Sequence, residues 1–342
     1  MKLDCVRIVE AGYAPVASDQ AWLGALVASF EPLQAGWGVL VSAFEMGGPS
    51  PGLRDSVASD SVPAPIATAF RNLFRFAATG PPVIRQTLFA PPPNVCHSSH
   101  RTVRLDEPHR VEVRRIFAGT AVRDCLGIAA VEPDGTGLLV SVPCEREIAI
   151  HPRTAQLLTR VTAHLCSAMR LRSRAGGSHE EGDAARMPGV EAILEPSGRV
   201  QHATGDAVHA GARASLAAAV RDVERARGRI RRTDPEEALA IWLALFEGRW
   251  SIVQRTESDG RRYLLARRNE PGTSDPKALA PAERHVLAYA AMGHSNKYIG
   301  YVLGVATSTV SSRLASAIRK LGLRSRREAI EMFGPSATPP RA

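Results

Sequence analysis

Small hydroxyl residues and long cations recur at helical spacing between Thr307 and Lys320. Val310 and Leu314 recur at the same spacing on another side, which predicts an amphipathic helix packed on a core. The opposite face is small, polar and free of acids; it holds Ser308, Ser311, Ser312, Ala315 and Arg319. Such a face can enter the major groove of DNA without steric clash or charge repulsion.

Cations beside this face are predicted to contact phosphates and so to set the register of the helix on DNA. The residues expected to contact DNA are Lys297, Thr307, Ser308, Thr309, Ser311, Ser312, Arg313, Ala315, Ser316, Arg319 and Lys320. The formal net charge is +9, and the residues from Asp275 onward hold ten Lys or Arg and four acids. A basic segment after a near-neutral remainder indicates a nucleic-acid or anionic-surface partner.

Three further helices are predicted to position this one. Pro281 suits the first position of a helix, and Gly293 can end it. Ser295 can cap a second helix, and Gly304 provides a tight turn before the third. A fourth helix is expected at about residues 325–333. The four together form a small all-α domain over residues 275–334.

The same stretch resembles the LuxR-type helix-turn-helix domain, also called FixJ- or NarL-type. The residues that carry the resemblance are Leu279, Pro281, Glu283, Gly293, Ser295, Asn296, Lys297, Leu303, Gly304, Val305, Thr309, Val310, Lys320, Leu321, Gly322, Ser325, Arg326, Glu328 and Ala329. The resemblance covers about a sixth of the chain and implies a DNA-binding transcription regulator whose third helix enters the major groove. It also implies a dimer contact on the fourth helix, here through Ala329, Ile330 and Phe333.

The sequence departs from that family at several positions. Ser311, Ser312 and Arg313 stand where the family usually has Lys-x-His, and serine hydroxyls discriminate among bases less than long cations do. Ala280 and Ala306 occupy usual capping positions, and each missing cap costs about 0.5–2 kcal/mol. Tyr298 replaces a common glutamate.

Residues 1–172 are predicted to form one α+β unit. The expected elements are helices at 18–33, 66–78 and 152–172, a strand at 36–44, a loop at 47–65 and a hairpin through 125–131 and 137–142. This order resembles a GAF domain, a sensor of small molecules or proteins. Its closing helix, 152–172, is expected to offer a dimer surface.

A flexible linker is predicted at 173–189, where the sequence is polar and glycine-rich. Residues 190–270 are predicted to form a second α+β unit that resembles a PAS domain. Its expected elements are strands at 190–195, 199–202, 250–254 and 262–267 and helices at 206–227 and 234–247. The arginine-rich run 225–232 is interpreted as a solvated helix end. Residues 335–342 are expected to be a disordered tail.

The fold class that follows is multidomain α+β, with GAF-like and then PAS-like sensor modules before the four-helix domain. We expect a homodimeric, cytoplasmic transcription regulator that binds double-stranded DNA and requires no cofactor. Its N-terminal modules would sense a small-molecule or protein effector, or mediate dimerisation. The alternative is a ligand-responsive interaction module whose basic C-terminal domain binds a protein or an anionic surface.

Other chemistry is weakly supported by the sequence. Cys96, His97, His100 and His109 have loose spacing for a metal, and a surface loop is the favoured interpretation. A hydrolase with Cys96 or Cys125 as nucleophile has no local signature, so no enzyme is expected. Cys125, Cys144 and Cys166 lie in apolar stretches and are expected to be core thiols. No apolar run long enough to span a membrane is found, and the N-terminus does not read as a signal peptide.

Overall fold

The computed structural model describes residues 3–14, 16, 18–33, 37–47, 50–174, 190–242, 245–246, 250–256, 261–268, 279–321 and 323–334. The predicted linker 173–189 and the tail 335–342 lie almost entirely outside these residues, apart from the end of one helix at Arg174.

The first unit is built on a five-stranded antiparallel sheet. Its strands are β1 Leu40–Glu45, β2 Gly52–Ala58, β3 Val95–His97, β4 Asp124–Val131 and β5 Thr136–Cys144. They lie in the order β2-β1-β5-β4-β3. The predicted hairpin is confirmed, because β4 and β5 pair from Asp124 to Cys144 and Gly135 takes a φ of 86° in the turn.

Seven helices accompany this sheet in the described residues: α1 Cys5–Gly12, α2 Asp19–Phe30, α3 Ala64–Thr79, α4 Pro82–Leu88, α5 Ser98–Thr102, α6 Glu107–Ile116 and α7 Pro152–Arg174. The helices expected near 18–33, 66–78 and 152–172 are confirmed. Ser18 caps α2 as predicted, since its hydroxyl accepts a hydrogen bond from the Ala21 amide. The loop expected at 47–65 is wrong in part, because β2 crosses it as an edge strand.

The second unit repeats the strand order of the first. Its strands are β6 Val190–Leu194, β7 Val200–Ala203, β8 Leu245–Phe246, β9 Trp250–Thr256 and β10 Arg262–Arg268, in the order β7-β6-β10-β9-β8. Counted within each unit, both sheets therefore read 2-1-5-4-3. The helices are α8 Ala210–Arg227, α9 Ile230–Thr233 and α10 Pro235–Ile241. The helix expected to reach residue 247 is shorter, because Leu245 and Phe246 are in a strand.

The arginine-rich run 225–232 is only partly a solvated helix end, which corrects the sequence interpretation. Arg227 donates to Glu10 at 3.0 Å, and Arg231 donates to Asp4 at 2.6 Å. These two arginines therefore tie the second unit to α1 of the first. Arg225 and Arg232 are exposed, as the sequence suggested.

Helix α7 contacts the first sheet, the second unit and the C-terminal unit. Every residue from 161 to 170 is buried. Its apolar side packs on the first sheet, and α1 and the C-terminal helices cover its other sides. The chain itself covers residues 161–170 of this helix, so mainly its first part, residues 152–160, is accessible for the dimer surface that the sequence predicts.

The C-terminal unit has four helices, and all four sequence predictions are confirmed: α11 Pro281–Ala291, α12 Asn296–Leu303, α13 Thr307–Lys320 and α14 Arg326–Phe333. Ser295 caps α12 through the Tyr298 amide, as expected. Gly304 ends α12 with a φ of 64°, a left-handed conformation that favours glycine.

Candidate nucleic-acid interface

Helix α13 has the two faces that its sequence predicts. Val310, Leu314 and Ala317 are buried. The exposed positions of the opposite face are Ser308, Ser311, Ser312, Ala315 and Arg319. The predicted phase of the helix is therefore confirmed, and its acid-free face is exposed to solvent.

Gly300 lets α12 and α13 approach each other closely. A Cβ at this position would lie 2.7 Å from the Val305 carbonyl oxygen, which is too close for any side chain. The Val305 amide donates to the Gly300 carbonyl at 2.8 Å and so closes the turn between the helices. The sequence analysis missed this residue, and a glycine inside a helical pattern was the available signal.

The structure places the other predicted DNA contacts in two groups. Lys297 and Thr307 are exposed, and Thr309 and Arg313 are half-buried. Lys320 and Ser316 instead face α11: the Lys320 ammonium lies 2.7 Å from Glu283 Oε2, and the Ser316 hydroxyl donates to Oε1 at 2.7 Å. Hydrogen bonds from Lys320, from Ser316 and from the Ala280 amide hold the pKa of Glu283 at about 2. These contacts fix α13 on α11.

Glu283 also compensates for the missing cap at Ala280. The alanine side chain cannot accept a hydrogen bond, but Glu283 Oε2 accepts from the Ala280 amide at 2.9 Å. At Ala306, by contrast, no side chain caps the start of α13.

A polar group links α12, α13 and α14 beside the exposed face. Asn296 donates to the Ser311 hydroxyl at 3.0 Å and accepts from Arg326 at 2.5 Å. Arg326 also donates to the His294 carbonyl. Asn296 and Arg326 were not among the predicted contact residues, although both belong to the motif that carries the family resemblance.

Helix α14 presents part of the predicted dimer surface. Phe333 is 41% exposed, and Ile330 is half-buried. Ala329 is fully buried inside the domain. A partner could therefore contact Phe333 and Ile330 directly, and Ala329 only supports them.

The exposed face of α13 with Ser308, Ser311, Ser312, Ala315 and Arg319 is called the recognition face. The opposite side of the C-terminal domain packs on the first unit through a cluster of tyrosines and charged side chains. Tyr289 on α11 is fully buried, and its hydroxyl donates to the Glu132 carboxylate at 3.1 Å. Arg170 on α7 donates to that hydroxyl at 3.0 Å and pairs with Glu132 at 2.6 Å. Burial lowers the pKa of Arg170, but the Glu132 charge more than offsets this and leaves it above its ordinary value.

Two tyrosines of α12 make further contacts. The Tyr298 hydroxyl lies 3.2 Å from the Thr162 hydroxyl and accepts from the Asn94 amide at 3.3 Å. The Tyr301 hydroxyl donates to the Leu239 carbonyl of α10 at 3.1 Å and so reaches the second unit. Burial raises the pKa of both hydroxyls, which stay protonated at neutral pH.

His164 lies at the centre of this contact. Its Nε2 atom is 3.2 Å from the Tyr301 hydroxyl, and its ring packs edge-on against Tyr301 and Tyr13. Burial lowers the pKa of His164 to about 3, so the imidazole is neutral at physiological pH. His294 stacks on Tyr298 at 4.4 Å, and its pKa is lowered to about 4 by burial and by Arg326.

The residues considered for metal binding or hydrolysis do not form such a site. His97 is hydrogen bonded to the Ile148 carbonyl at 2.9 Å, and His109 pairs with Asp106. The Cys96 thiol accepts a hydrogen bond from Arg101. Within the described residues, no group of three or more His, Cys, Asp or Glu is arranged to hold a metal ion.

The expectation of core thiols is confirmed. Cys125, Cys144 and Cys166 are buried, and so is Cys5. Burial raises the pKa of Cys5 to about 12 and that of Cys144 to about 11. It also raises the pKa of Cys125 and Cys166, so these thiols carry no thiolate at neutral pH.

Three aromatic side chains pack together against the first sheet. The rings of Phe44, Phe74 and Phe89 lie with centroids 4.6–5.7 Å apart. A Cβ at Gly137 would meet the Phe44 ring at 2.4 Å, so glycine is needed for the ring to lie on the sheet.

Among the described helices, none is long and apolar enough to cross a membrane.

Comparison with known proteins agrees with the geometry of the C-terminal unit. Residues 277–333 match the family described as bacterial regulatory proteins, luxR family. The chain carries a LuxR-family helix-turn-helix domain at its C-terminus. The match leaves the two α+β units outside the LuxR-family region.

Two curated relatives match short stretches of this chain. The HTH-type regulator YhjB of Escherichia coli (strain K12) is 37% identical over 68 residues, which is 20% of this chain and 34% of YhjB. The transcriptional activator protein EchR of Dickeya chrysanthemi is 28% identical over 71 residues, which is 21% of this chain and 28% of EchR. The chain thus spans about a third of the length of these relatives.

A solved structure of SdiA in complex with octanoyl-rac-glycerol aligns with 96% of this chain and 92% of that chain. The sequence identity is 11% and the TM-score is 0.30. At that TM-score, the likeness gives no further information about this fold.

Proposed function

We propose that the protein is a sequence-specific DNA-binding transcription regulator in which α13 enters the major groove. The observation that carries the proposal is the exposed, acid-free face of α13, with Ser308, Ser312, Ala315 and Arg319 on it. A phosphate-rich ligand meets no carboxylate there, and small side chains allow the helix to approach base edges. The LuxR-family match and the two regulator relatives support the same function.

The proposed contacts fall into two classes. Ser308, Ser311, Ser312 and Ala315 would face base edges, while Lys297, Thr307, Thr309, Arg313 and Arg319 would hold phosphates at the edges of the groove. Ser316 and Lys320 belong to the structural contact with Glu283 and are left out of the proposed set.

We further propose that the two α+β units regulate this domain as GAF-like and PAS-like modules. The buried contact of Tyr289 with Glu132 and Arg170 supports this role, since any rearrangement of β4, β5 or α7 would act directly on α11. The effector would be a small molecule or a protein. A homodimer would form on DNA through Ile330 and Phe333, because two copies are needed to read a site of useful length.

Fluorescence anisotropy with the full chain and mixed genomic duplexes tests the function. The parent should bind with a steep salt dependence, and Arg319→Ala should lower the slope of log K against log salt by about one unit. Arg85→Ala is the matched control, because Arg85 lies on α4 of the first unit and is not among the proposed contacts. Equal slopes for all three proteins would remove α13 from the interface, and no binding by the parent would favour a protein or an anionic surface as partner.

A further inference from the structure

A directed chain of hydrogen bonds ends at the centre of the recognition face. Arg326 Nη1 lies 2.5 Å from Asn296 Oδ1, and Asn296 Nδ2 lies 3.0 Å from Ser311 Oγ. Ser311 Oγ in turn lies 3.1 Å from the Thr307 carbonyl oxygen, one turn earlier in α13. Ser311 is nevertheless an exposed residue of the face that α13 presents to solvent.

The chemistry of the two ends fixes the direction of every bond in this chain. A guanidinium group has only donors, so the Asn296 atom that faces Arg326 is the amide oxygen. The amide nitrogen of Asn296 therefore faces Ser311 and donates to it. A carbonyl oxygen only accepts, so the single hydroxyl proton of Ser311 is directed at Thr307. One lone pair of Ser311 Oγ remains.

We propose, on the basis of the proposed DNA-binding function, that Ser311 is an acceptor-only reader of the major groove. It accepts a hydrogen bond from an exocyclic amine, which adenine carries at N6 and cytosine at N4. Guanine and thymine present carbonyl oxygens at the corresponding places, and these would face the lone pair of Ser311 without a proton between them. Adenine or cytosine is therefore preferred over guanine or thymine at one position of the contacted strand.

Asn296 acts as a positioning residue for this preference. Its donated hydrogen bond and the Thr307 carbonyl together hold the Ser311 hydroxyl in one rotamer. Without Asn296 only the Thr307 carbonyl restrains the Ser311 hydroxyl. The hydroxyl then rotates more easily and donates to a base carbonyl more often than in the parent. Arg326 determines which way the Asn296 amide points and so belongs to the same device.

Ser312 provides an internal control one residue away. It is exposed on the same face, and in the described part of the chain its hydroxyl makes no hydrogen bond. A hydroxyl that rotates freely both donates and accepts. Ser312 should therefore show no preference between amine-bearing and carbonyl-bearing bases.

The test is selection from a random duplex library with the full chain as parent, Ser311→Ala, Asn296→Ala and Ser312→Ala. One position of the parent site should favour adenine or cytosine by about two- to tenfold, the ratio that one neutral hydrogen bond supplies. Ser311→Ala should abolish this preference at that position and preserve the rest of the site. Asn296→Ala should weaken the same preference in a protein that still unfolds in one cooperative transition. Ser312→Ala should leave it unchanged.

A base analogue tests the amine directly at the position identified by Ser311→Ala. Purine in place of adenine, or 2-pyrimidinone in place of cytosine, removes only the exocyclic amine. The parent should lose as much affinity on this duplex as Ser311→Ala loses on the natural one, and Ser311→Ala should bind both duplexes equally.

The inference is overturned if the position that Ser311→Ala changes favours guanine or thymine, or if Ser311→Ala changes no position of an otherwise well-defined site. Failure of the parent to enrich any sequence is a distinct result, because it refutes the proposed function itself and the inference with it.

Discussion

Replacing Tyr289 by phenylalanine removes one buried hydroxyl and leaves the ring in place. The hydroxyl lies 3.1 and 3.2 Å from the two Glu132 oxygens and 3.0 Å from Arg170 Nη1. Tyr289 belongs to the helix-turn-helix domain, whereas Glu132 and Arg170 belong to the first α+β unit. Any loss of stability in this variant therefore measures the contact between the helix-turn-helix domain and the first α+β unit.

The size of the loss follows from the charges and the burial. Hydrogen bonds to charged groups are worth about 1.5–3 kcal/mol, and Tyr289 is fully buried, so solvent does not screen them. The ion pair between Glu132 and Arg170, 2.6 Å apart, remains intact in this variant. The loss of unfolding free energy should therefore stay below the roughly 3–5 kcal/mol expected when one partner of a buried ion pair is removed. Tyr298→Phe is the matched control, and it should cost about 0.5–1.5 kcal/mol because its partners, Thr162 and Asn94, are neutral.

Urea unfolding of the full chain, followed by circular dichroism, measures both free energies. A double-mutant cycle of Tyr289→Phe with Arg170→Met should give a coupling energy of at least about 0.5 kcal/mol. The reasoning is refuted if Tyr289→Phe lies within about 0.5 kcal/mol of the parent, the range of a surface substitution. It is also refuted if Tyr298→Phe costs more than Tyr289→Phe.

Three further predictions concern pH, salt and the core of the recognition helix. Because burial holds the pKa of His164 near 3, its contribution to stability is complete above about pH 6.5 and is lost as the pH falls towards 3. The free energy of unfolding should decrease by up to about 1.4 kcal/mol per pH unit in that window from this group, and His164→Asn should flatten the dependence. Lys320→Ala should leave the salt dependence of DNA binding unchanged, because its ammonium is paired with Glu283 at 2.7 Å; a slope as low as that of Arg319→Ala would contradict this. Leu314→Ala should cost about 2–5 kcal/mol and abolish binding, whereas Ser312→Lys should melt like the parent and select different sites.

The C-terminal domain could be predicted from the sequence because its signals are local. Apolar residues at helical spacing, Ser295 as a cap and Gly304 in the turn each act within a few residues. All four helices are found where these signals place them. The long helix α7 and the β4–β5 hairpin are predicted for the same reason.

Elements without a local signal were missed. β2 lies in a stretch rich in glycine, proline and serine, and it forms because its backbone pairs with β1 along one edge of the sheet. The helix expected through residue 247 ends at Ile241, because Leu245 and Phe246 pair with β9 instead. In both cases pairing with a neighbouring strand outweighs the local propensity of the segment.

The polar contacts of the site also depend on distant residues. Tyr289 and Glu132 are 157 residues apart, and Asn296 and Ser311 lie on different helices. Helical spacing identifies which residues of α13 are exposed. It does not show that Lys320 is paired with Glu283 or that the Ser311 hydroxyl donates its proton to the Thr307 carbonyl.

The central claim is that the exposed face of α13 reads DNA sequence, and a selection with the full chain from a random duplex library tests it most directly. The parent should enrich one shared motif, and Ser312→Lys should fold normally and enrich a different one. Retention of all sequences alike by both proteins, or identical motifs for both, would contradict the claim.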